Sequence, residues 1–104
     1  MIKAIFFDVD GTLVSLRTHA VPQSTQNALA RLREKGIKLF VATGRPKVML
    51  PHIQALFPFD GWVTLNGQYC YCGDQVLRSC PMERQAVEEL VSAARENSFA
   101  RMFI

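Results

Sequence analysis

Two carboxylates, one residue apart, follow an apolar segment near the start of the chain. Asp8 and Asp10 stand in FFDVDGTLVS, residues 6–15. Like charges at this spacing repel each other and raise a pKa, unless a cation lies between them or one carboxyl keeps its proton. Mg²⁺ would offset the repulsion, because it prefers oxygen ligands and retains waters that leave room for a phosphate oxygen. The pair therefore predicts a site for phosphate chemistry.

The types of residue at this site suit phosphoryl transfer. Asp8 could attack phosphorus, while Asp10 could protonate the leaving oxygen and later activate water. Gly11 would let the backbone bend away from the strand and leave amides free to face an anion, with Thr12 beside it. The segment thus holds a candidate nucleophile, a candidate acid/base and a candidate anion cradle.

These residues need a sheet to hold them. Residues 2–7 and 37–42 are apolar on both strand faces, which predicts buried strands covered by helices on both sides. Between them, residues 22–36 place Ala28, Leu29 and Leu32 on one helical stripe, with Pro22 in the first turn and Gly36 as the cap. A strand, a helix and a strand in this order predict a parallel pair.

The rest of the chain continues this pattern. A helix is predicted from Pro46, with Val48, Leu50, Ile53, Leu56 and Phe57 on its apolar face; Pro51 must lie in its first turns or kink it. Residues 59–65 predict a third strand and residues 68–79 a hairpin that turns near Gly73 and Asp74. An amphipathic helix follows from Met82, and residues 99–104 begin another strand. The fold class is α/β.

Open parallel sheets bind ligands at the carboxyl ends of their strands. Thr43, Gly44 and Arg45 follow the second strand and would share a crevice with residues 8–12. The Thr43 hydroxyl and the Gly44 amide are donors of the kind that hold a phosphoryl oxygen. Arg45 has an alternative interpretation as a salt bridge at a helix start.

Other sites fit the acidic segment less well. A calcium loop starting at Asp8 would need glycine and an acid where the chain has Leu13 and His19. Neither the nucleotide P-loop pattern nor the dinucleotide glycine pattern occurs. A purely structural turn cap explains one acid near a loop, but not two at the end of an apolar strand.

Composition restricts the function classes further. The 104 residues are 49% hydrophobic and carry a net charge of +3, with the twelve Lys and Arg scattered, so nucleic-acid binding is not expected. No apolar run approaches the length of a membrane span, and acidic residues come too early for a signal peptide. Three cysteines, an odd number, predict free thiols. These observations together predict a cytoplasmic protein.

DVDGTL after the first strand and VATGR after the second resemble the haloacid dehalogenase-like (HAD) superfamily of phosphatases, and TLNGQYCY before a hairpin is similar to its Cof-type branch. The resemblance implies that Asp8 is the nucleophile that forms an aspartyl-phosphate, that Asp10 is the general acid/base, and that Thr43 binds phosphate. It also implies that Asp8 and the Asp10 carbonyl bind Mg²⁺. Arg45 and Asn66 would face a small phosphorylated substrate, although Asn66 is also a turn former in its own right.

The resemblance divides the chain at residue 81. Residues 1–81 would be the amino-terminal part of the core, a partial Rossmann-like parallel sheet with a hairpin, and residues 82–104 the start of an inserted α/β cap. The family carries a later lysine and a later pair of acids, and no residue replaces them convincingly among the candidates Lys35, Lys38, Lys47, Asp60 and Asp74. We therefore expect part of a longer protein, with weak or no activity by itself.

Two further hypotheses stay open. Without later strands, the first strand would form an exposed apolar edge, which favours self-association. The chain could then be a non-catalytic module that acts through association or binding. Transfer of the phosphoryl group to an acceptor other than water is a third possibility.

Overall fold

The computed structural model describes residues 1–97, which form one five-stranded sheet with helices. The elements are β1 (Ala4–Phe7), α1 (Gln23–Glu34), β2 (Lys38–Ala42), α2 (Pro51–Leu56), β3 (Gly61–Thr64), β4 (Tyr69–Cys72), β5 (Gln75–Ser79) and α3 (Arg84–Glu96). The strand order is β1-β2-β3-β4-β5; β1, β2 and β3 are parallel, and β4 and β5 are antiparallel to their neighbours. The predicted α/β class is confirmed. The strand predicted over residues 99–104 lies outside the described residues.

Helix α1 makes the crossover from β1 to β2. Pro22, in an extended conformation, is its N-cap, and Gly36 follows its end at φ +81°, a left-handed conformation that glycine adopts without steric cost. Leu29 packs into the core, but Ala28 is exposed, so the predicted stripe is wrong at that position. The apolar side of α1 is narrower than the sequence spacing indicated.

The sheet is covered on one face only within residues 1–97. Its covered face carries buried side chains from the strands and the two helices beside them, including Leu29, Leu39, Val41, Ile53, Trp62 and Tyr71. On the other face, Phe6 stacks on Phe40 with ring centroids 4.7 Å apart, and Phe6 remains 57% exposed. The prediction that helices cover β1 on both sides is therefore wrong for the described part of the chain. β1 ends the sheet, as expected of an uncovered apolar edge.

The segment between β2 and β3 is broken by its prolines. Pro46 precedes a single 3₁₀ turn, Lys47–Met49, and Pro51 then starts α2 at its first position, where the missing amide costs nothing. Leu50 and Ile53 are buried, whereas Val48 is 68% exposed. Pro51 lies in the first turn of a helix, which is one of the two alternatives predicted for it, but the helix begins at Pro51 and not at Pro46, and the placement of Val48 on its apolar face is wrong.

The last elements follow the predicted order. β4 and β5 form the hairpin, with Gly73 at φ +57° in its turn. The predicted helix after Met82 is α3, although Leu90, placed on its apolar face, is half exposed. None of the helices formed by residues 1–97 is long and apolar enough to cross a membrane.

Candidate active site

The acidic segment forms a tight loop directly after β1. Gly11 has φ +80°, so the backbone bends as predicted. The Gly11 amide donates to the Val14 carbonyl at 2.9 Å, and the Thr12 amide donates to the Val9 carbonyl at 3.2 Å. The amides of Gly11 and Thr12 are therefore not among those free to face an anion. They hold the loop, and the Thr12 hydroxyl is the side-chain donor that this pair still offers.

Asp8 lies exposed at the carboxyl end of β1. Its Oδ1 accepts a hydrogen bond from the Val9 amide at 2.8 Å, which fixes the carboxylate against the backbone. Its Oδ2 has no hydrogen-bond donor among residues 1–97. One carboxylate oxygen is thus held and the other is accessible, which suits a nucleophile.

Asp10 forms an ion pair with Arg45 across the crevice. The Arg45 Nε donates to Asp10 Oδ2 at 2.9 Å, and its Nη2 contacts Oδ1. This two-pronged hydrogen bonding holds the pKa of the Asp10 carboxyl below its usual value and raises the pKa of Arg45. The cation beside the two acids is therefore a residue of the chain. Arg45 thus forms a salt bridge with an acid of the candidate site, and its Nη1 also donates to the Met49 carbonyl at 3.5 Å.

The end of β2 supplies the opposite wall. Thr43 is buried, and its Oγ1 accepts a hydrogen bond from the Arg45 amide at 3.0 Å, which leaves the hydroxyl proton available. The Gly44 amide has no acceptor within the described part of the chain. Thr43 and Gly44 therefore offer one hydroxyl and one amide donor at this edge of the sheet.

Asn66 reaches the same edge from the end of β3. Its amide donates to the Thr43 carbonyl at 3.1 Å, and the Leu65 amide donates to the Arg45 carbonyl at 3.2 Å. A Cβ added to Gly44 would lie 3.2 Å from Asn66 Oδ1, so the side chain rests against Gly44. The Asn-Gly pair predicted a turn, but not this attachment to the β2 loop. Leu65 was not predicted as a site residue, because a leucine gives no indication that its amide bonds to the β2 loop.

The acids excluded on sequence grounds are remote from this edge. Asp60 precedes β3 at the other edge of the sheet and accepts hydrogen bonds from the Leu39 amide and from Arg33. Asp74 lies in the β4–β5 turn. Neither completes the site formed by Asp8 and Asp10.

Two oxygens at the end of β1 could ligate a hard cation. They are the accessible carboxylate oxygen of Asp8 and the main-chain carbonyl of Asp10, which accepts no hydrogen bond from residues 1–97. A cluster of three or more acidic, cysteine or histidine ligands does not occur in that range. Mg²⁺ commonly uses one or two protein oxygens together with waters and substrate phosphate, so this donor set fits it.

Comparison with known proteins identifies the family of the chain. The model of the haloacid dehalogenase-like hydrolases matches residues 5–104. The chain is 35% identical over 98 residues to the pyridoxal phosphate phosphatase YbhA of Escherichia coli, covering 91% of the chain and 36% of YbhA. It is 40% identical over 68 residues to an HMP-PP phosphatase of Shigella flexneri, covering 64% of the chain and 25% of that protein.

A solved structure shows the same fold. BT1666, a phosphatase of the haloalkanoate superfamily from Bacteroides thetaiotaomicron, superposes with a TM-score of 0.79 and 41% sequence identity, over 94% of the chain and 37% of BT1666. The chain thus spans well under half of each of these relatives and matches their amino-terminal part. The chain belongs to the haloacid dehalogenase-like hydrolase family, in its Cof-type phosphatase branch.

Proposed function

We propose that the protein is a Mg²⁺-dependent phosphatase of small phosphorylated metabolites, of which this chain carries the nucleophile. The observation that carries the proposal is the exposed Asp8 carboxylate, which has one oxygen fixed and one accessible at the carboxyl end of β1. Relatives named for pyridoxal phosphate, for HMP-PP and for sugar phosphates support a small phosphorylated substrate.

The reaction would proceed in two steps. In the first, an Asp8 oxygen bonds to phosphorus while the ester oxygen departs with a proton from Asp10, so that an aspartyl-phosphate forms. Asp10 must separate from Arg45 and take up a proton before this step, because the ion pair favours its ionised form. In the second, Asp10 takes a proton from water, which attacks the phosphoryl group and releases inorganic phosphate and free Asp8. Phosphoryl transfer of this kind depends mainly on positioning and charge stabilisation.

The remaining groups would bind the phosphoryl group and the metal. Mg²⁺ would be held by the Asp8 carboxylate and the Asp10 carbonyl, and when bound it would neutralise charge on the transferring group. We assign phosphate or substrate contacts to Gly11, Thr12, Thr43, Gly44, Arg45 and Asn66. For Gly11 the assignment concerns only its backbone conformation, because its amide is already paired within the loop.

The organisation of the chain belongs to the same proposal. Residues 1–81 would be the amino-terminal part of the catalytic core and residues 82–104 the start of a cap. The free cysteines Cys70, Cys72 and Cys80 support a reducing, cytoplasmic location.

A second candidate function has its own supporting observation. The β1 edge and the exposed Phe6, stacked on Phe40, form an apolar surface through which this chain could associate with a second copy. In that case it would act as a non-catalytic module. Analytical ultracentrifugation of the 104-residue chain would test this: a dimer that Phe6→Ser converts to monomer supports association, and a wild-type monomer contradicts it.

The catalytic proposal is tested with Asp8→Asn in the full-length protein. We expect Mg²⁺-dependent hydrolysis of p-nitrophenyl phosphate to be lost, because the amide is not a nucleophile, and the phosphorylated Asp8 seen by mass spectrometry after acid quench to disappear. Asp74→Asn is the matched control, since Asp74 lies in the hairpin turn. Unchanged turnover by Asp8→Asn would contradict the proposal.

A further inference from the structure

Three successive residues after β3 adopt the left-handed conformation. Leu65 has φ +51°, Asn66 has φ +53° and Gly67 has φ +94°. A residue with a Cβ atom clashes with its own backbone in this region of φ and ψ, so a leucine there is uncommon and costs free energy. Something in the surrounding structure must hold the turn, and such strain is often retained where it serves a site.

Two backbone hydrogen bonds hold it. The Leu65 amide donates to the Arg45 carbonyl at 3.2 Å, and the Asn66 amide donates to the Thr43 carbonyl at 3.1 Å. Both acceptors lie in the loop after β2, the loop that carries the candidate phosphate donors. The left-handed turn is therefore attached to the anion-binding loop through its main chain.

This attachment fixes the direction of the Gly44 amide. In a trans peptide the carbonyl oxygen and the following N–H point in opposite directions. Because the Thr43 carbonyl points toward Asn66 at the end of β3, the Gly44 N–H points away from β3. β2 lies between β1 and β3, so that direction is toward the end of β1, where Asp8 lies. The Gly44 amide has no other acceptor within residues 1–97.

We propose that Asn66 is a positioning residue that acts through its main-chain amide: in the left-handed turn it orients the Thr43–Gly44 peptide so that the Gly44 N–H receives a phosphoryl oxygen beside Asp8. This inference rests on the proposed phosphatase function. The proposed role is distinct from a substrate contact made by the Asn66 side chain, because any residue that accepts the left-handed conformation can supply the main-chain amide. Glycine is such a residue, whereas valine strongly resists that conformation.

The experiment measures binding of inorganic phosphate, in the presence of Mg²⁺, to the ¹⁵N-labelled full-length protein. Asn66→Gly is expected to keep the phosphate-dependent shift of the Gly44 amide resonance that wild type shows, and to bind phosphate more tightly than Asn66→Val. Asn66→Val should bind about tenfold or more weakly, as for the loss of one hydrogen bond to an anion, and its Gly44 resonance should no longer respond. Gly36→Val is the matched control, because it also places valine at a positive φ but at the opposite edge of the sheet.

The outcomes distinguish failure of the inference from failure of the proposed function. If Asn66→Gly weakens binding as much as Asn66→Val, the side chain is the ligand and the inference is overturned. If Asn66→Val binds like wild type, it is overturned as well. If wild type binds phosphate without a shift of its Gly44 resonance, the inference alone is overturned, and if wild type binds no phosphate, the proposed function fails as well. Should Asn66→Val not fold, a backbone ester at position 66 deletes only the N–H, and it must reproduce the loss of phosphate binding.

Discussion

The parallel strands carry one arginine–aspartate pair where they begin, here called the amino edge, and another where they end, the carboxyl edge. The two pairs differ in what else holds the aspartate. At the amino edge, Asp60 Oδ2 accepts hydrogen bonds from Arg33 at 3.0 Å and from the buried Leu39 amide at 2.8 Å. At the carboxyl edge, the carboxylate of Asp10 is bonded to Arg45, and its side chain is 49% exposed.

This difference indicates that the Arg33–Asp60 pair stabilises the fold. Asp60 satisfies a backbone amide at the start of β2, and Arg33 also lies over the Phe57 ring, 4.8 Å from its centroid. Removing Asp60 would leave a buried donor without a partner. Asp10 can separate from Arg45 without leaving a buried donor, since its carboxylate is half exposed. The pair at the amino edge therefore holds the fold, and the pair at the carboxyl edge does so less.

The largest expected contrast is in activity. In the full-length protein, Asp10→Asn should lower kcat for an alkyl phosphate by about 10²- to 10⁴-fold, because the proton donor and acceptor are lost. Asp60→Asn should leave kcat per folded molecule unchanged. Steady-state kinetics with the folded fraction measured by circular dichroism tests both. An equal loss of kcat in the two variants would remove the distinction between the edges.

The reverse contrast is expected in stability. Asp60→Ala should lower the free energy of unfolding by about 1–3 kcal/mol, since the Leu39 amide is buried and loses its acceptor. Urea denaturation followed by Trp62 fluorescence measures the change. Asp74→Ala is the control, as it truncates an exposed carboxylate in the hairpin turn. A loss no larger than that of the control would show that Asp60 is not structural.

Breaking the carboxyl-edge pair should cost less. Arg45→Ala is expected to change the free energy of unfolding by less than about 1 kcal/mol, because the Asp10 carboxylate is 49% exposed and water screens such an ion pair. The same denaturation experiment, run beside Asp60→Ala, gives the comparison. A loss as large as that of Asp60→Ala would indicate that Arg45 and Asp10 are also part of the structural framework.

The features that depend on local sequence pattern could be predicted from the sequence. Apolar runs, Gly36 and the Asn-Gly pair predicted the strands, the helix end and the turn, and strand-end geometry brought the acids and Thr43 to one edge. The apolar pattern of β1 alone predicted a covered face for Phe6, because such a pattern shows that a face could be buried and not what covers it. The expectation of an exposed first strand came instead from the later strands that the resemblance implies.

The other differences arise from tertiary contacts. Arg45 and Asp10 are 35 residues apart, so no spacing rule reports their ion pair. Leu65 adopts a conformation that its own propensity opposes, since hydrogen bonds to the β2 loop impose it. The paired amides of Gly11 and Thr12 likewise follow from a loop that closes on itself.

The smallest expected effect is the pH dependence of the carboxyl-edge pair. Arg45 lowers the pKa of Asp10 in the folded protein below the ordinary value of 3.8, so folding favours the ionised carboxylate. This contribution to stability is present above the ordinary pKa and is lost as the pH falls through the lower pKa of the folded state. The difference in unfolding free energy between wild type and Arg45→Gln should therefore shrink as the pH falls from neutral through 3.8 and below.

High salt should reduce that difference at every pH, because the pair is accessible to solvent and is screened. Arg17→Gln is the matched control, since Arg17 is exposed and its side chain makes no ion pair within residues 1–97. Its difference from wild type should stay flat over the same pH range. If the Arg45→Gln difference were equally flat, Arg45 would not be holding Asp10 in its ionised form, and the cation that offsets the two acids would have to come from elsewhere, as Mg²⁺ would.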